Sequence, residues 1–401
     1  MSDTNLAEKA GATSRPGMLE RPLSRILRPD VEGHRLRGRP DLYTAYKQDM
    51  ALLNTPAKRN WTLVLFALVV WAGLGMPNDL VGLAATGMAY AIGAIGMNIV
   101  TGYAGQVSLG HAFFAGIGIY TAAVLSGDPD ARVLGFGITF APLWIFAAGV
   151  VAAVFGAIVA PLALRLKGLY LAIVTLGLVF MGDHIFREWI QVTGGFGVGR
   201  PAARVSFGFG RYDVDGELFG LIYLTKNQRM FFLILVTLVI LGVIGRNIAR
   251  SDLGRVFSAI RDRDVAAEVI GVDLTRGKIL AFTISSFYAG VAGALLFTIA
   301  GFVEPGSLSL LLSVRFLVMI LVGGVATISG SIMGAMFIAT LPRISFELAH
   351  LLPSWIGLNE QILEGILSGL LIIVFLIVEP RGLFGIWFRI RNYWKAWPFS
   401  Y

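Results

Sequence analysis

The fold class predicted is an all-α polytopic membrane protein with about ten transmembrane helices and a broken helix after the second span, and three observations predict it. The 401 residues are 56% hydrophobic and only 14% charged, with a mean hydropathy of +0.73. Soluble domains run near about a quarter charged, so much of this surface must be covered by lipid. The apolar residues fall into stretches close to the ~20 residues needed to cross ~30 Å of hydrocarbon. Forty-nine glycines are the third observation, because membrane helices use small residues to bring backbones together.

The stretches are Trp61–Met76, Leu80–Val100, Ala112–Leu125, Ile138–Ala160, Leu169–Gly182, Met230–Gly245, Ile279–Phe302, Leu310–Ile328, Ser331–Ile344 and Ile362–Val378. Residues 61–380 thus form a transmembrane domain. Residues 1–60 are a polar extension with eleven Lys/Arg against seven Asp/Glu and no apolar core of a signal peptide. Within it Leu42, Tyr46, Met50 and Leu53 recur at helical spacing, as in a helix lying on the membrane surface. The alternative is a solvated tail without a role.

Charge sorting sets an orientation. With the N-terminus in the cytoplasm, the extension, Arg165–Lys167, Arg246–Lys278 and Arg381–Lys395 share one face and hold 24 of the 33 basic residues. This is the positive-inside pattern, and an even number of spans returns both termini, including the 381–401 tail, to the cytoplasm. The formal charge of +8 is therefore read as orientation rather than as nucleic-acid binding. Of the two long loops, 188–229 faces outward and alternates around Val205–Phe209 like a small hairpin. The other, 246–278, faces inward and has a helical pattern with Val256, Ile260, Ala267 and Ile270 on one side.

Several chemistries are missing. There is no cysteine, hence no disulfide or thiolate metal site. No phosphate-binding G-x-x-x-x-G-K-[ST] loop occurs, and the four histidines (His34, His111, His184, His350) are scattered. Ion-coupled transport uses carboxylates inside the membrane. Here Asp183 and Glu364 lie near outer ends and Glu379 closes the last span, so the sequence favours interfacial roles for them.

Between spans two and three, Asn98–His111 carries Gly102, Gly105 and Gly110 together with Thr101, Gln106, Ser108 and His111. Two readings stand side by side: a plain cytoplasmic turn, or a broken helix lining a wet cavity, where free backbone groups suit a polar solute. The inner loop Asp252–Asp273 likewise reads as a solvated surface helix or as a helix that docks into a partner's cleft through Ala266, Ala267 and Gly271.

Asn98–Leu125 closely resembles the signature of the branched-chain amino-acid ABC permeases. So do Arg165–Gly177 with the later Thr193-Gly194-Gly195, the Arg255–Gly271 loop, the Val322–Ala335 glycine-rich run and the Glu379–Gly385 ending. The resemblance spans about Leu80 to Gly385, and Arg165-Leu-Lys-Gly-Leu-Tyr-Leu171 with the long N-terminal extension is similar to the M-type subunit. Departures are Val325-Ala326-Thr327, which lacks the family's third glycine, Arg315 in the eighth span, Asp183-His184 where relatives carry Glu, and the Phe196–Phe209 insertion.

The resemblance implies a bacterial inner-membrane importer made of this chain, an H-type sister permease, two cytoplasmic ATPases and an extracytoplasmic binding protein. It implies that this chain binds no cofactor, with ATP and magnesium on the ATPases. It further implies a translocation path along Gly102, Gly105, Gln106, Ser108, His111, Thr175, Thr193, Gly194 and Gly195. Coupling to the ATPase is implied for Arg261, Asp262, Ala266, Ala267, Glu268 and Gly271. The solute implied is a branched-chain amino acid. Urea or a short amide carried by the same family, and a self-sufficient ion-coupled carrier, are the alternatives.

Overall fold

Each of the ten apolar stretches coincides with a helix in the computed structural model, which describes residues 56–166, 168–201, 206, 216–218, 222–351, 360–379 and 381–396. Among the described residues, seven helices are long and apolar enough to cross a membrane, and three apolar helices are shorter. By internal contacts the chain divides into Met1–Arg59 and Asn60–Tyr401. The surface helix expected around Leu42–Leu53 lies outside the described residues. The membrane-spanning body is the second unit.

The helices are α1 (Pro56–Gly75), α2 (Asn78–Met97), α3 (His111–Ser126), α4 (Ala141–Arg165), α5 (Leu169–Glu188), the single turn α6 (Ile190–Thr193) and α7 (Lys226–Arg250). They continue with α8 (Asp252–Val269), α9 (Leu274–Ala300), α10 (Leu310–Gly323), α11 (Ile328–Leu351), α12 (Glu360–Val378) and α13 (Gly382–Ala396). Local chemistry sets the boundaries. Thr225 and Gln228 form a reciprocal capping box at the start of α7, and Asp273 caps α9 by accepting from Arg276 N at 3.0 Å. Gly301, at φ +74°, ends α9 in the left-handed conformation.

Two spans form the centre. The apolar windows of α2 and α9 are each 67% buried, against 33–44% for the other long spans. Helix α9 packs against α4, α3 and α2, and glycine makes this close. A Cβ on Gly290 would stand 2.5 Å from Ala148 O, and one on Gly118 would run into the Gly290 backbone. Small residues at such crossings let dispersion contacts hold helices together where lipid removes the hydrophobic drive. Helix α1, by contrast, turns Trp61, Leu65 and Trp71 outward, as a lipid-facing helix does.

The connections around residues 200–224 and 302–303 contain short antiparallel pairs. Strand β1 (Arg200–Pro201) pairs with β4 (Phe302–Val303), and β2 (Gly216–Leu218) with β3 (Ile222–Leu224). The hairpin seen is β2–β3. The alternation expected at Val205–Phe209 lies outside the described residues except for Ser206, which bridges to Phe140. Helix α7 runs to Arg250 and α8 begins two residues later, so the 246–278 loop, expected to face inward, is mostly helix. Its buried face agrees with the expected one at Ile260 and Ala267, with Val256 half-buried, and differs at Ile270, which is 76% exposed. Ile270 is the C-cap residue, one position past the last residue of α8, so the helical register no longer places it; α8 also contains a break at Arg263 (φ −159°, ψ 103°).

Candidate functional site

At Met97 the second span stops being α-helical. Asn98–Tyr103 form a π-helix, residues 104–110 are non-helical, and α3 starts at His111. π-Helical turns are rare and recur at functional sites. Asn98 shows what imposes this one. Its fully buried side chain donates to Ser331 Oγ at 2.7 Å and to Thr327 O at 2.9 Å, with Gly324 O farther off at 3.4 Å. Its Oδ1 accepts from Ala326 N at 2.8 Å. One amide thus ties the broken span to the late glycine-rich run. Ala326 sits at φ +59°, where a Cβ costs roughly 1–2 kcal/mol, and Asn98 accepts from the N–H of that residue.

Beyond the π-helix the chain folds back tightly. Gln106 N donates to Val100 O at 2.9 Å, and Thr101 Oγ1 donates to Gln106 O at 3.2 Å. The Gln106 side chain is 6% exposed, yet among the described residues neither of its amide atoms has a hydrogen-bond partner. A buried group left so costs about 1–3 kcal/mol. Its neighbours are all engaged. Ser108 Oγ accepts from Gly110 N at 3.3 Å, and Thr175 Oγ1 accepts from Leu109 N at 2.9 Å while bonding back to Leu171 O. His111 Nε2 lies 2.9 Å from Gly93 O, and its ring packs edge-on against Phe316. Ser313 Oγ accepts from Ala112 N at 2.9 Å, satisfying a free donor at the start of α3.

The inner loop meets this turn directly. Arg261 Nη1 donates to Gly102 O at 3.2 Å. Gly105, at φ +67°, faces the same side chain, and a Cβ there would stand 2.7 Å from Arg261 Cγ. Asp262 Oδ1 accepts from Arg261 Nε at 3.2 Å. After the break at Arg263, Lys278 holds Asp264 at 3.8 Å. Ala266 and Glu268 are exposed, while Ala267 is only 2% exposed and packs inside its own chain. The exposed apolar groups of this tip are Val265, Val269 and Ile270. Gly271, at φ +87°, ends α8 in a Schellman motif: its N–H bonds Glu268 O and Val272 N bonds Ala267 O. On the same side, Gly382 abuts Gly324, and Glu379 is ion-paired with Arg389.

Thr193, Gly194 and Gly195 are not part of this cluster. They follow the far end of α5, roughly 20 Å of helix beyond Thr175. There Thr193 Oγ1 bonds Trp189 O and accepts from Gly195 N. Buried Arg200 donates to Val192 O, Ala123 O and Leu134 O at 2.7, 2.6 and 3.1 Å. Burial pulls the pKa of Arg200 below the ordinary arginine value, a shift that Tyr120 opposes. Asp183 is paired with Arg187 at 2.8 Å, and Arg187 lies over the Phe196 ring. Between α4, α5 and α9 lies an apolar groove of about 230 Å³, lined by Leu162, Leu171, Leu178 and Phe282 with Thr175 as its one polar lining residue.

The sequence reading passed over Asn98 as a hub and Ser313 altogether. Each is a polar residue in an apolar surround, the signal that could have marked them.

A bundle of apolar helices around a broken span, joined to a charged helical loop, defines a polytopic helical membrane protein. Residues 80–376 match the family described as branched-chain amino acid transport system / permease component. The chain is 32% identical, over 82% of its length and 76% of theirs, to the high-affinity branched-chain amino acid transport system permease proteins LivM of Salmonella typhimurium and Escherichia coli. It is 31% identical over 131 residues to the autoinducer 2 import system permease protein LsrC of an Enterobacter species, covering 31% of this chain and 37% of that protein. No solved structure matches. The chain belongs to the branched-chain amino acid transport system permease family and is a permease component of an ABC importer.

Proposed function

We propose that this chain carries branched-chain amino acids as the M-type half of a heteromeric permease, paired with an H-type sister subunit. Two cytoplasmic ATPases drive it, and an extracytoplasmic binding protein supplies the solute. The observation that carries this reading is the seating of the inner loop on the broken span, with Arg261 on Gly102 and an apolar tip left exposed for a partner. The substrate class rests on the similarity to the LivM proteins.

The path proposed runs along Gly102, Gly105, Gln106, Ser108, His111 and Thr175 at the inner end. Thr193–Gly195 belong to its outer mouth. Gln106 is the polar anchor best supported, because its amide is unpaired where its neighbours are not. The remaining groups support the reading as shapers of the backbone. Coupling is assigned to the tip of α8, with Asp262, Ala266 and Glu268 exposed beside Val265, Val269 and Ile270. Ala267 and Gly271 act by holding that tip in shape. An inner membrane of a bacterium with both termini cytoplasmic fits the charge sorting. It is supported by the way Arg261, Gly324 and Arg381, from or beside the basic-rich segments, gather around one end of α2.

The experiment is reconstitution of all five components in liposomes. ATP inside and binding protein outside should give leucine uptake that stops without the ATPases. Leucine accumulation by this chain alone under a proton or sodium gradient would overturn the reading. Uptake of urea or a short amide in place of leucine would overturn the substrate.

A further inference from the structure

We propose that Arg261 is the positioning residue that transmits movement of the inner loop to the broken span, and that Gln106 is the group it moves. The proposal rests on the permease reading above and assigns Arg261 to its own chain rather than to the ATPase surface.

Three features of the junction carry it. The guanidinium of Arg261 holds the carbonyl of Gly102, inside the π-helix, at 3.2 Å. Carbonyls ending a helix carry partial negative charge, so a cation there is held by charge as well as by the hydrogen bond. On the other side of the same contact Gly105 leaves no room for a Cβ, which would lie 2.7 Å from Arg261 Cγ and 3.0 Å from its Cα. The turn is therefore gripped by a bond and by steric contact, and a shift of Arg261 must displace residues 102–105.

The second feature is the break at Arg263, two residues on. It separates the half of α8 anchored by Phe257 and Ile260 from the half that exposes Val265 and Val269. A load on the exposed half therefore acts on Arg261, in the last turn before the break. The third is Gln106, adjacent to Gly105, buried and unpaired among the described residues. Its amide atoms have no partner among the described protein groups, so displacing the Gly102–Gly110 segment brings them to solvent or to a passing solute at no loss of a protein hydrogen bond.

The test uses the absence of cysteine from this chain, which makes Gln106→Cys its only thiol. In the assembled complex, labelling of that thiol by a methanethiosulfonate reagent should accelerate about tenfold when vanadate traps the ATPases, within the usual range for coupling between sites. Adding Arg261→Ala should abolish the acceleration. In the Gln106 protein, R261A should lower leucine uptake per ATP hydrolysed about tenfold. R261K should recover most of both readouts, because lysine keeps a charge and an N–H donor within reach of Gly102 O. Unchanged labelling and uptake in R261A would overturn the link, as would a loss of hydrolysis in step with uptake, which marks an ATPase contact instead. If R261A does not assemble, Gly105→Ala attacks the same contact from the turn and should give the same uncoupling. Failure of both to assemble assigns the pair a structural role and overturns the proposal. A wild-type complex without ATP-driven uptake sinks the permease reading and the link together, whereas normal uptake in wild type and R261A alike sinks only the link.

Discussion

Replacing Asn98 by alanine should be among the most destabilising single changes around the broken span, and its cost should depend on residue 326. In the native structure Asn98 donates to Ser331 Oγ and Thr327 O and accepts from Ala326 N. After truncation Thr327 O keeps a donor, because Ser331 Oγ reaches it at 3.1 Å. The Ala326 N–H loses the acceptor described for it, at a cost of about 1–3 kcal/mol, and two further bonds near about 1 kcal/mol each are lost. A total of about 3–5 kcal/mol results. At about 2 cal/mol/K of unfolding entropy per residue, this lowers the thermal midpoint of a body of this size by about 4–7 °C. Ala326 is held at φ +59° by the same bond. Ala326→Gly alone should therefore raise the midpoint slightly, since the strain relieved exceeds glycine's entropic cost of about 0.5–1 kcal/mol. It should also reduce the cost of Asn98→Ala by about 1 kcal/mol in a double-mutant cycle. Thermal unfolding of the purified chain in detergent, read by tryptophan fluorescence, measures all four proteins. An Asn98→Ala midpoint within a degree of wild type, or equal costs in both backgrounds, would refute the assignment of Asn98 as the tie.

Gln106→Leu removes a buried amide without partners and replaces it by an apolar group of similar size, so the midpoint should rise by about 1–2 kcal/mol of stability while leucine uptake falls. A fall in both would show that the amide is satisfied in the native state. Val269→Asp, on the exposed tip, should leave the midpoint unchanged and abolish co-purification of the ATPases, whereas Ala267→Leu should lower the midpoint through overpacking by about 1–3 kcal/mol. Gly118→Val should prevent folding, seen as loss of the monodisperse peak in detergent, because its side chain would meet the Gly290 backbone.

The sequence located the spans because hydropathy is a local, additive property. Every one of the ten apolar stretches coincides with a helix, although the edges moved: α7 runs on to Arg250 and the third helix begins at His111. The break after the second span was equally legible, since three glycines and four polar residues interrupt an apolar run. The face of α8 was legible in part. Ile260 and Ala267 are buried as the periodicity expects, whereas Ile270 falls past the helix end at Val269, where periodicity no longer applies, and is exposed.

Composition and order along the chain therefore determined that this is a many-span membrane protein of one permease family, because both are properties of short segments read one after another. Which residues share a site was decided only in three dimensions. Asn98 meets partners 226 to 233 residues away, and Arg261 meets Gly102 across 159. Thr193–Gly195, grouped with Gln106 by motif, stand at the other end of α5. Hydrogen bonds act over about 3 Å and carry no trace of sequence separation, so the junction that joins the loop to the broken span had to be seen folded.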